Sequence, residues 1–266
     1  MNIVLYTNCQ GKGIKFFLEE FLKKMNISFK LDFIFSYISI FEETSLDYEV
    51  IKKCDLFLFQ PVSSGHLCYS TDENQELSVI HYLPKHCQKI SFPYIYNDSL
   101  WSLFPNGEDI TGKEYILKYK QQGASLQDIF KMYDDYEIDF NYKQRYQNTL
   151  KVLMEGEKRC DIKISRFLHD NIISKKIFIT QNHPTSIVFI NVVEKIIEKL
   201  NYEYKFCEKK YDFNEAKLEC YWPHNKIDLN YWNFSYDQPE PTFDSDFYGT
   251  SDGWTKDLIR KAYEKY

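Results

Sequence analysis

Short apolar runs alternate with amphipathic stretches through the first part of the chain, a pattern typical of strands that alternate with helices. The predicted strands are Asn2–Thr7, Phe29–Ser36, Asp55–Gln60 and Lys89–Tyr94. The predicted helices between them are Gly11–Met25, Glu43–Lys53 and Asn74–Leu83, the last of which is stopped by Pro84. This order predicts an α/β fold, a parallel sheet with flanking helices.

The pattern turns helical between about residues 111 and 171. Gly123 separates two of the helices there, and Ser125 and Asp128 have the spacing of a capping box. We interpret this part as an enlarged helical insertion in a single α/β domain that spans residues 1–266.

The strand pattern returns at Lys176–Thr180, and a strongly apolar helix follows at Ser186–Leu200, for which Pro184 supplies a favourable start. The remaining residues, from about 201 to 266, are rich in Trp, Tyr, Asp and Asn and show little periodicity before a terminal helix at Trp254–Tyr263. This aromatic extension either covers a substrate as a lid or wraps the core, and the pattern leaves both open.

Composition narrows the function classes. The chain has 266 residues, 21 Phe and 22 Tyr, enough apolar area for a substantial core. Its net charge of −6 argues against a nonspecific nucleic-acid binder, which would carry a basic face. No apolar run approaches the roughly 20 residues that span a bilayer, and the N-terminus lacks a signal-peptide pattern. We therefore expect a soluble, cytoplasmic protein without a transmembrane segment.

The cysteines are an odd number and form no CxxC pair, so we expect neither a disulfide framework nor a zinc module. Most of them are expected to be small buried hydrophobic residues. They lie at positions 9, 54, 68, 87, 160, 207 and 220. Asp244-Ser245-Asp246 has the form of the metal-binding DxD of nucleotide-sugar transferases, but this motif is short and common, and we predict no metal.

Three polar residues, Cys9, Gln60 and His183, each follow a predicted strand. Because ligands of open α/β sheets bind outside the carboxyl ends of the strands, these residues are predicted to border one site. A helix N-terminus behind Cys9 would stabilise a thiolate or hold a phosphate. A thiol that faces an imidazole suits acyl transfer. The alternatives are an inert, buried Cys9 and a histidine that only caps a helix.

Side-chain amides surround these positions and could donate to an oxyanion, together with the turn amides at Cys9 and Gln10. These amides belong to Asn8, Gln10, Gln60 and Asn182. Ser63 and Ser64 follow the third strand and either bind a ligand or cap the next segment, with the cap slightly favoured. Lys12 and Lys15 are candidates for contact with a phosphate, although lysines on a helix are usually just solvated.

Three segments together resemble the WcbI-type polysaccharide biosynthesis enzymes of bacterial capsule loci. They are Asn8-Cys9-Gln10 after the first strand, the segment from Glu157 to Ile162, and Thr180-Gln181-Asn182-His183-Pro184. The resemblance covers about residues 2 to 200. It implies an α/β protein with an enlarged helical portion that binds coenzyme A or acetyl-CoA and O-acetylates a capsular sugar. The basic residues near the middle segment, Lys158, Arg159, Lys163 and Arg166, are interpreted as a solvated face.

The chain is similar, more remotely, to SGNH-type hydrolases with their flavodoxin-like core. In that family a nucleophile follows the first strand, and a late DxxH motif supplies the base. Here Cys9 replaces the serine, and Thr180 stands at the position of the aspartate. His183 therefore lacks the acidic partner of a complete triad.

The leading hypothesis is an acetyl-CoA-dependent O-acyltransferase that acts on a sugar hydroxyl, with Cys9, His183 and Gln10 as catalytic residues. The residues expected to contact coenzyme A are Asn8, Gly11, Lys12, Gln60, Ser63, Ser64 and Asn182. The alternatives are an SGNH-like esterase or deacetylase of glycans and a non-catalytic module that binds coenzyme A or glycan. The expected partner is a glycan acceptor, and a homo-oligomer or an association with capsule-assembly enzymes remains open.

Overall fold

The structure, a computed structural model, describes residues 1–207, 222–237 and 250–266. Contacts divide these residues into two compact units. Unit 1 contains residues 1–95, 151–170 and 182–207, and unit 2 contains residues 96–150, 171–181, 222–237 and 250–266. The single-domain organisation stays a prediction.

The described elements follow one another in an order that is close to the predicted one. The strands are β1 (Asn2–Thr7), β2 (Lys30–Phe35), β3 (Leu56–Phe59), β4 (Gln88–Ser91), β5 (Phe104–Asn106), β6 (Asp109–Thr111), β7 (Phe178–Thr180) and β8 (His183–Pro184). The helices are α1 (Gly11–Lys24), α2 (Ser36–Phe41), α3 (Tyr48–Ile51), α4 (Lys113–Gln121), α5 (Leu126–Asp134), α6 (Tyr142–Glu157), α7 (Ser165–Asn171), α8 (Ser186–Lys199), α9 (Lys226–Trp232) and α10 (Ser251–Lys265). Two 3₁₀ segments lie at Ser64–Tyr69 and Val79–Tyr82.

Unit 1 is built on a four-stranded parallel sheet with the order β2-β1-β3-β4. The four strands predicted in the first part of the chain are confirmed, and so is the α/β class. β1 is central and almost wholly buried, as expected for a parallel strand covered on both faces. The strand Phe178–Thr180 forms as predicted, but it is not one of the four strands of this sheet.

Helices α1 and α8 pack against each other within unit 1. Each buries one apolar stripe at helical spacing, which explains why periodicity located both helices correctly. Gly13 lets them approach closely, because a Cβ atom there would lie 2.4 Å from the ring of Phe189. Gly11 is similarly enclosed, since its Cβ would lie 2.1 Å from Cγ2 of Thr7.

Two predicted helices of unit 1 are largely wrong. In the segment Glu43–Lys53 the helix begins only at Tyr48, because the side chain of Asp47 accepts hydrogen bonds from the first amides and acts as its cap. Within Asn74–Leu83, the side chain of Ser78 bonds to the Ser70 carbonyl and the Ile80 amide. Such local bonds compete with helix formation, and only a 3₁₀ turn forms there.

Unit 2 contains an antiparallel hairpin and the predicted helical layer. The hairpin pairs β5 with β6. The capping box between Ser125 and Asp128 is present at the start of α5, and Gly123 lies before it with φ at 90°. The α6 helix begins in unit 2, and from Lys151 onward its residues belong to unit 1. The predicted terminal helix is confirmed as α10.

The carboxylate of Asp228 is the centre of a buried polar cluster in unit 2. It accepts hydrogen bonds from the Tyr142 hydroxyl at 2.5 Å, the Ser102 amide at 2.7 Å and the Asn225 amide at 3.1 Å. Burial raises the pKa of this carboxyl to about 6, against its hydrogen bonds, which favour the charged form.

The expectations about membrane spans and cysteines can be compared with the described part of the chain. None of its helices combines the length and the apolar character needed to cross a membrane. Six cysteines are described and all are free thiols, but only Cys54 and Cys160 are buried, so the expectation that most would be buried is wrong. Cys220 and the Asp244-Ser245-Asp246 motif lie outside the described residues.

Candidate functional site

Cys9 lies in unit 1, in the turn where β1 passes into α1. Its side chain is half-buried, so the sulfur is neither in the core nor fully in solvent. The preceding residue, Asn8, shapes the turn, because its Oδ1 atom accepts a 2.9 Å hydrogen bond from the amide of Gln10. The inert, buried interpretation of Cys9 therefore does not fit its surroundings.

The amides at the start of α1 are already used within the turn. Gly11 donates to the carbonyl of Asn8, Lys12 to that of Cys9 and Gly13 to that of Gln10, over 3.1 to 3.2 Å. These three amides are therefore not free to bind an anion, which argues against the predicted anion site at the start of α1. The role of Gly11 is packing, since it is buried against Thr7 and Phe33.

His183 lies close to Cys9, as predicted. Its Nε2 atom is 3.7 Å from the Sγ atom of Cys9, within hydrogen-bonding distance for sulfur, although the residues are 174 positions apart in sequence. His183 is half-buried and opens the short strand β8. The thiol and the imidazole therefore form a pair in which a proton can pass between sulfur and nitrogen.

Two buried glutamines hold the loops around this pair. The Nε2 atom of Gln10 donates to the carbonyl of Ile95 at 2.6 Å and to that of Asn182 at 2.8 Å, and its Oε1 atom accepts from the Ile95 amide. The Nε2 atom of Gln60 donates to Gln10 at 3.0 Å and to the carbonyl of Pro93 at 3.3 Å. Its Oε1 atom accepts from the Thr7 hydroxyl and the Asn8 amide.

This network changes the expected role of the amides. A side-chain amide has two N–H groups, and in Gln10 and Gln60 both already bond to protein oxygens. Neither glutamine is therefore placed to donate to an oxyanion, contrary to expectation. The side chain of Asn182 bonds to Tyr94. Among the residues that the structure describes, the Nδ2 atom of Asn8 has no hydrogen-bond partner, so Asn8 is the best-placed donor of the four.

Tyr94 is a site residue that the sequence analysis missed. Burial raises the pKa of its hydroxyl, the hydrogen bond to Asn182 opposes that rise, and the proximity of the ionisable thiol of Cys9 adds to it. The side chain is still 45% exposed, so it lies at the rim of the site. Tyr94 follows β4 as Gln60 follows β3, and the carboxyl-edge argument applied to the fourth strand would have found it.

The remaining candidates lie around this centre in different roles. The ammonium of Lys12 is 5.9 Å from the ring centroid of Phe35 and makes no ion pair with the described residues. Ser63 precedes the 3₁₀ segment, but its side chain makes no capping hydrogen bond, so the favoured capping role is wrong. Ser63 and Ser64 instead line a pocket beside β3.

The middle motif has a structural role. The buried carboxylate of Glu157 accepts from the amide of Ser165 at 2.7 Å and from its hydroxyl at 2.5 Å, and so caps α7. Asp161 accepts from the amide and the hydroxyl of Ser91 at the end of β4. These two residues hold the segment after α6 against β4 and α7 within unit 1, and neither contacts Cys9 or His183.

The parallel sheet, with a thiol and an imidazole within hydrogen-bonding distance at its carboxyl edge, defines the class as an α/β protein with a cysteine–histidine pair. More specifically, the chain belongs to the WcbI family, described as "Polysaccharide biosynthesis enzyme WcbI", whose sequence profile matches residues 2–205. The resemblance inferred from the three motifs is confirmed. The aromatic extension lies almost entirely outside the match.

A solved structure has the same fold. It is described as WcbI, a novel polysaccharide biosynthesis enzyme, in its native form without a disulfide bond between coenzyme A and one of its cysteines. The TM-score is 0.68 at 15% sequence identity, with 100% of this chain and 90% of that chain covered. At this identity the likeness supports the fold alone. No individual curated protein matches the chain.

Proposed function

We propose that this chain is an O-acyltransferase that moves an acyl group from coenzyme A to a sugar hydroxyl during polysaccharide assembly. The observation that carries the proposal is the 3.7 Å approach of Cys9 Sγ to His183 Nε2. Membership of a polysaccharide biosynthesis family supports a sugar acceptor. The solved WcbI structure, whose description names coenzyme A and states that no disulfide bond joins it to a cysteine, supports the donor.

The residues around Cys9 fit a coenzyme A thioester. Cys9 offers a half-exposed sulfur, and Asn8 offers an amide nitrogen, Nδ2, that has no partner among the described residues. Lys12, one turn further along, offers an ammonium that is not in an ion pair with any described residue, which suits a phosphate. When bound, the thioester supplies an activated acyl carbonyl.

His183 moves the protons in the route that we propose. It takes the proton from Cys9, and the thiolate attacks the thioester carbonyl. The bond between the acyl carbon and the coenzyme A sulfur breaks, and His183 gives the proton to the departing thiolate. It then takes the proton of the sugar hydroxyl, the acyl group passes from the sulfur to the sugar oxygen, and Cys9 regains its thiol. The amide of Asn8 donates to the carbonyl oxygen as negative charge develops there.

A second route needs no covalent intermediate. His183 deprotonates the sugar hydroxyl for direct attack on the bound thioester, while Cys9 only lines the site. Both routes use the same pair of residues and differ only in whether Cys9 forms a bond, so replacing Cys9 separates them.

The experiment that tests the function begins with calorimetric titration of the reduced protein with coenzyme A and acetyl-CoA. Saturable binding supports the donor, and transfer of labelled acetyl to a glycan acceptor that depends on His183 supports the reaction. Absence of binding would contradict the proposal. Release of acetate from simple esters without coenzyme A would favour the esterase, and binding that survives His183→Ala without turnover would favour a binding module.

Control variants isolate the site from general effects of substitution. Cys207 is exposed, so Cys207→Ala removes a thiol without touching the core. His86 is exposed, and its Nε2 atom lies 3.2 Å from the carboxylate of Asp55. His86 precedes β4 and Asp55 precedes β3, so both lie at the opposite edge of the sheet from Cys9. His86→Ala therefore removes an imidazole remote from the pair. Both controls should bind coenzyme A and turn over as the unmodified protein does.

A further inference from the structure

A polar pocket of about 480 Å³ lies beside the carboxyl end of β3 in unit 1. Its volume falls in the range of small-molecule sites, roughly 300–1,000 Å³. Phe59 and Pro61 are among its apolar lining residues, and Ser63, Asp72, Asn74 and Arg159 are among its polar ones. Its lining residues Phe59 and Pro61 flank Gln60, whose side chain bonds to Gln10, so the pocket lies at the carboxyl edge of the sheet, as Cys9 does.

The polar groups of this pocket retain hydrogen-bonding capacity. Among the described residues, the guanidinium of Arg159 has no hydrogen-bond or ion-pair partner, and it carries five N–H donors. The hydroxyl of Ser63 is not used as a cap. Asp72 uses one carboxylate oxygen to accept from the amide and the side chain of Asn74, which holds both side chains in place.

The charges in the pocket bear on whether it holds the coenzyme A donor or the sugar acceptor. Glu73, a further lining residue, is ion-paired with Lys89, and this partner holds the pKa of the Glu73 carboxyl below its usual range. The remaining charges, Arg159 and Asp72, have opposite signs. The pocket therefore offers no excess of positive charge to the diphosphate and the 3′-phosphate of coenzyme A.

The lining of this pocket suits a sugar better than it suits coenzyme A. Sugar hydroxyls both donate and accept, so carboxylate, amide, hydroxyl and guanidinium groups can all bond to them. The apolar C–H face of the ring can pack on a surface such as Phe59 and Pro61. We infer that this pocket is the acceptor subsite, which holds a sugar unit through Arg159, Asp72 and Asn74. This inference rests on the proposed function and moves Ser63 and Ser64 from the donor to the acceptor.

The inference is tested by saturation-transfer difference NMR with the methyl α- and β-glycosides of glucose, galactose and mannose. At least one glycoside should bind, and Arg159→Ala should weaken its binding roughly tenfold or more. Arg166→Ala is the matched control, because the Arg166 side chain is 94% exposed and pairs only weakly with Asp170 at 3.5 Å. Coenzyme A should leave the glycoside signal in place.

Three results would overturn the inference: no glycoside binds, binding is equal in Arg159→Ala, or coenzyme A displaces the glycoside. Failure of the proposed function would give different results from failure of this inference. If the glycoside binds through Arg159 but acetyl transfer never occurs, the sugar site stands and the reaction is wrong. If transfer occurs and Arg159→Ala leaves the KM for the acceptor unchanged, the reaction stands and the pocket assignment is wrong.

Discussion

The side chain of Gln10 donates a 2.8 Å hydrogen bond to the backbone carbonyl of Asn182. Asn182 directly precedes His183, and Gln10 directly follows Cys9, so this bond joins the two turns that carry the thiol and the imidazole. Both segments lie outside the four strands of the parallel sheet, so the backbone pairing of that sheet does not hold them together. The glutamine therefore acts as a positioning residue for the pair.

Replacing Gln10 by methionine tests this role. The change keeps the volume but removes Gln10 as the partner of the Ile95 carbonyl, the Ile95 amide and the Asn182 carbonyl, and it leaves the Nε2 atom of Gln60 with one of its two bonds. At about 1–3 kcal/mol for each unsatisfied buried group, we expect a loss of about 3 kcal/mol or more in the free energy of unfolding. Urea denaturation measures it. Gln144→Met, at an exposed position, should cost almost nothing.

Gln10→Met should also lower kcat, since His183 loses its register with Cys9. A variant that is destabilised but keeps full kcat at a temperature where it stays folded would show that Gln10 has only a structural role.

Cys9→Ala decides between the two routes of transfer. If the acyl group passes through the sulfur of Cys9, the variant should lose roughly 10⁴-fold or more in kcat, as expected when a nucleophile is removed. Intact-mass spectrometry of the unmodified protein, quenched after addition of acetyl-CoA, should show an acetyl adduct that Cys9→Ala lacks. Near-normal turnover in Cys9→Ala would leave only direct attack.

Asn8→Asp tests the oxyanion donor. Aspartate keeps the oxygen that accepts from the Gln10 amide, so the turn and the melting temperature should be preserved. It removes the Nδ2 donors, and kcat should fall by roughly 10²–10³-fold, the cost of losing one oxyanion donor. Unchanged kcat, with binding of coenzyme A intact, would place the oxyanion elsewhere.

Glu157→Gln tests the structural interpretation of the middle motif. The buried carboxylate accepts from the amide and the hydroxyl of Ser165, and an amide nitrogen at one of its two positions cannot accept. We expect a loss of about 1–2 kcal/mol in the free energy of unfolding, with kcat unchanged. Glu155→Gln, at an exposed ion pair with Lys158, is the control and should be near neutral. A large loss of kcat in Glu157→Gln would point to a catalytic role instead.

Asp228 makes the stability of the protein depend on pH. Burial raises the pKa of its carboxyl to about 6 in the folded state, so between the unfolded value near 3.8 and about 6 the folded state binds more protons. Its contribution to stability is complete below pH 3.8 and is lost as the pH rises through 6. The melting temperature of Asp228→Asn relative to the unmodified protein should therefore rise from pH 4 to 6 and then level off. The opposite slope would mean that the hydrogen bonds from Tyr142 and Ser102 outweigh burial.

The parts of the site that followed from sequence are those next to a strand end. Cys9 and Gln60 each follow a strand of the parallel sheet, and the rule that ligands bind at the carboxyl edge predicted that they converge. His183 lies at the site as predicted, but the strand before it is not part of that sheet, so the rule does not explain its position. The roles of the side-chain amides of Gln10 and Gln60 did not follow from sequence. Whether Gln10 donates to a substrate or to the Asn182 carbonyl depends on which loop lies opposite, and periodicity carries no information about loops.

The errors in the fold have a similar origin. The predicted helices at Glu43–Lys53 and Asn74–Leu83 had acceptable apolar spacing, but the side chains of Asp47 and Ser78 bond to nearby backbone and shorten them. The spacing of apolar residues does not show whether such a side-chain bond or a helical backbone bond is the more stable. It succeeded for α1 and α8, where a long buried stripe makes tertiary packing and local preference agree.

The sequence by itself determined the α/β class, the four parallel strands, the two long helices of unit 1 and the family, because buried apolar runs and the motifs around Cys9 and His183 are local signals. Only the tertiary structure decided that the thiol meets the imidazole at 3.7 Å and that Gln10 and Gln60 are fully bonded. It also decided that Arg159, interpreted from sequence as a solvated residue, lines the pocket beside β3. These relationships join residues far apart in the chain, and the packing of loops that brings them together is set by contacts that no single segment encodes.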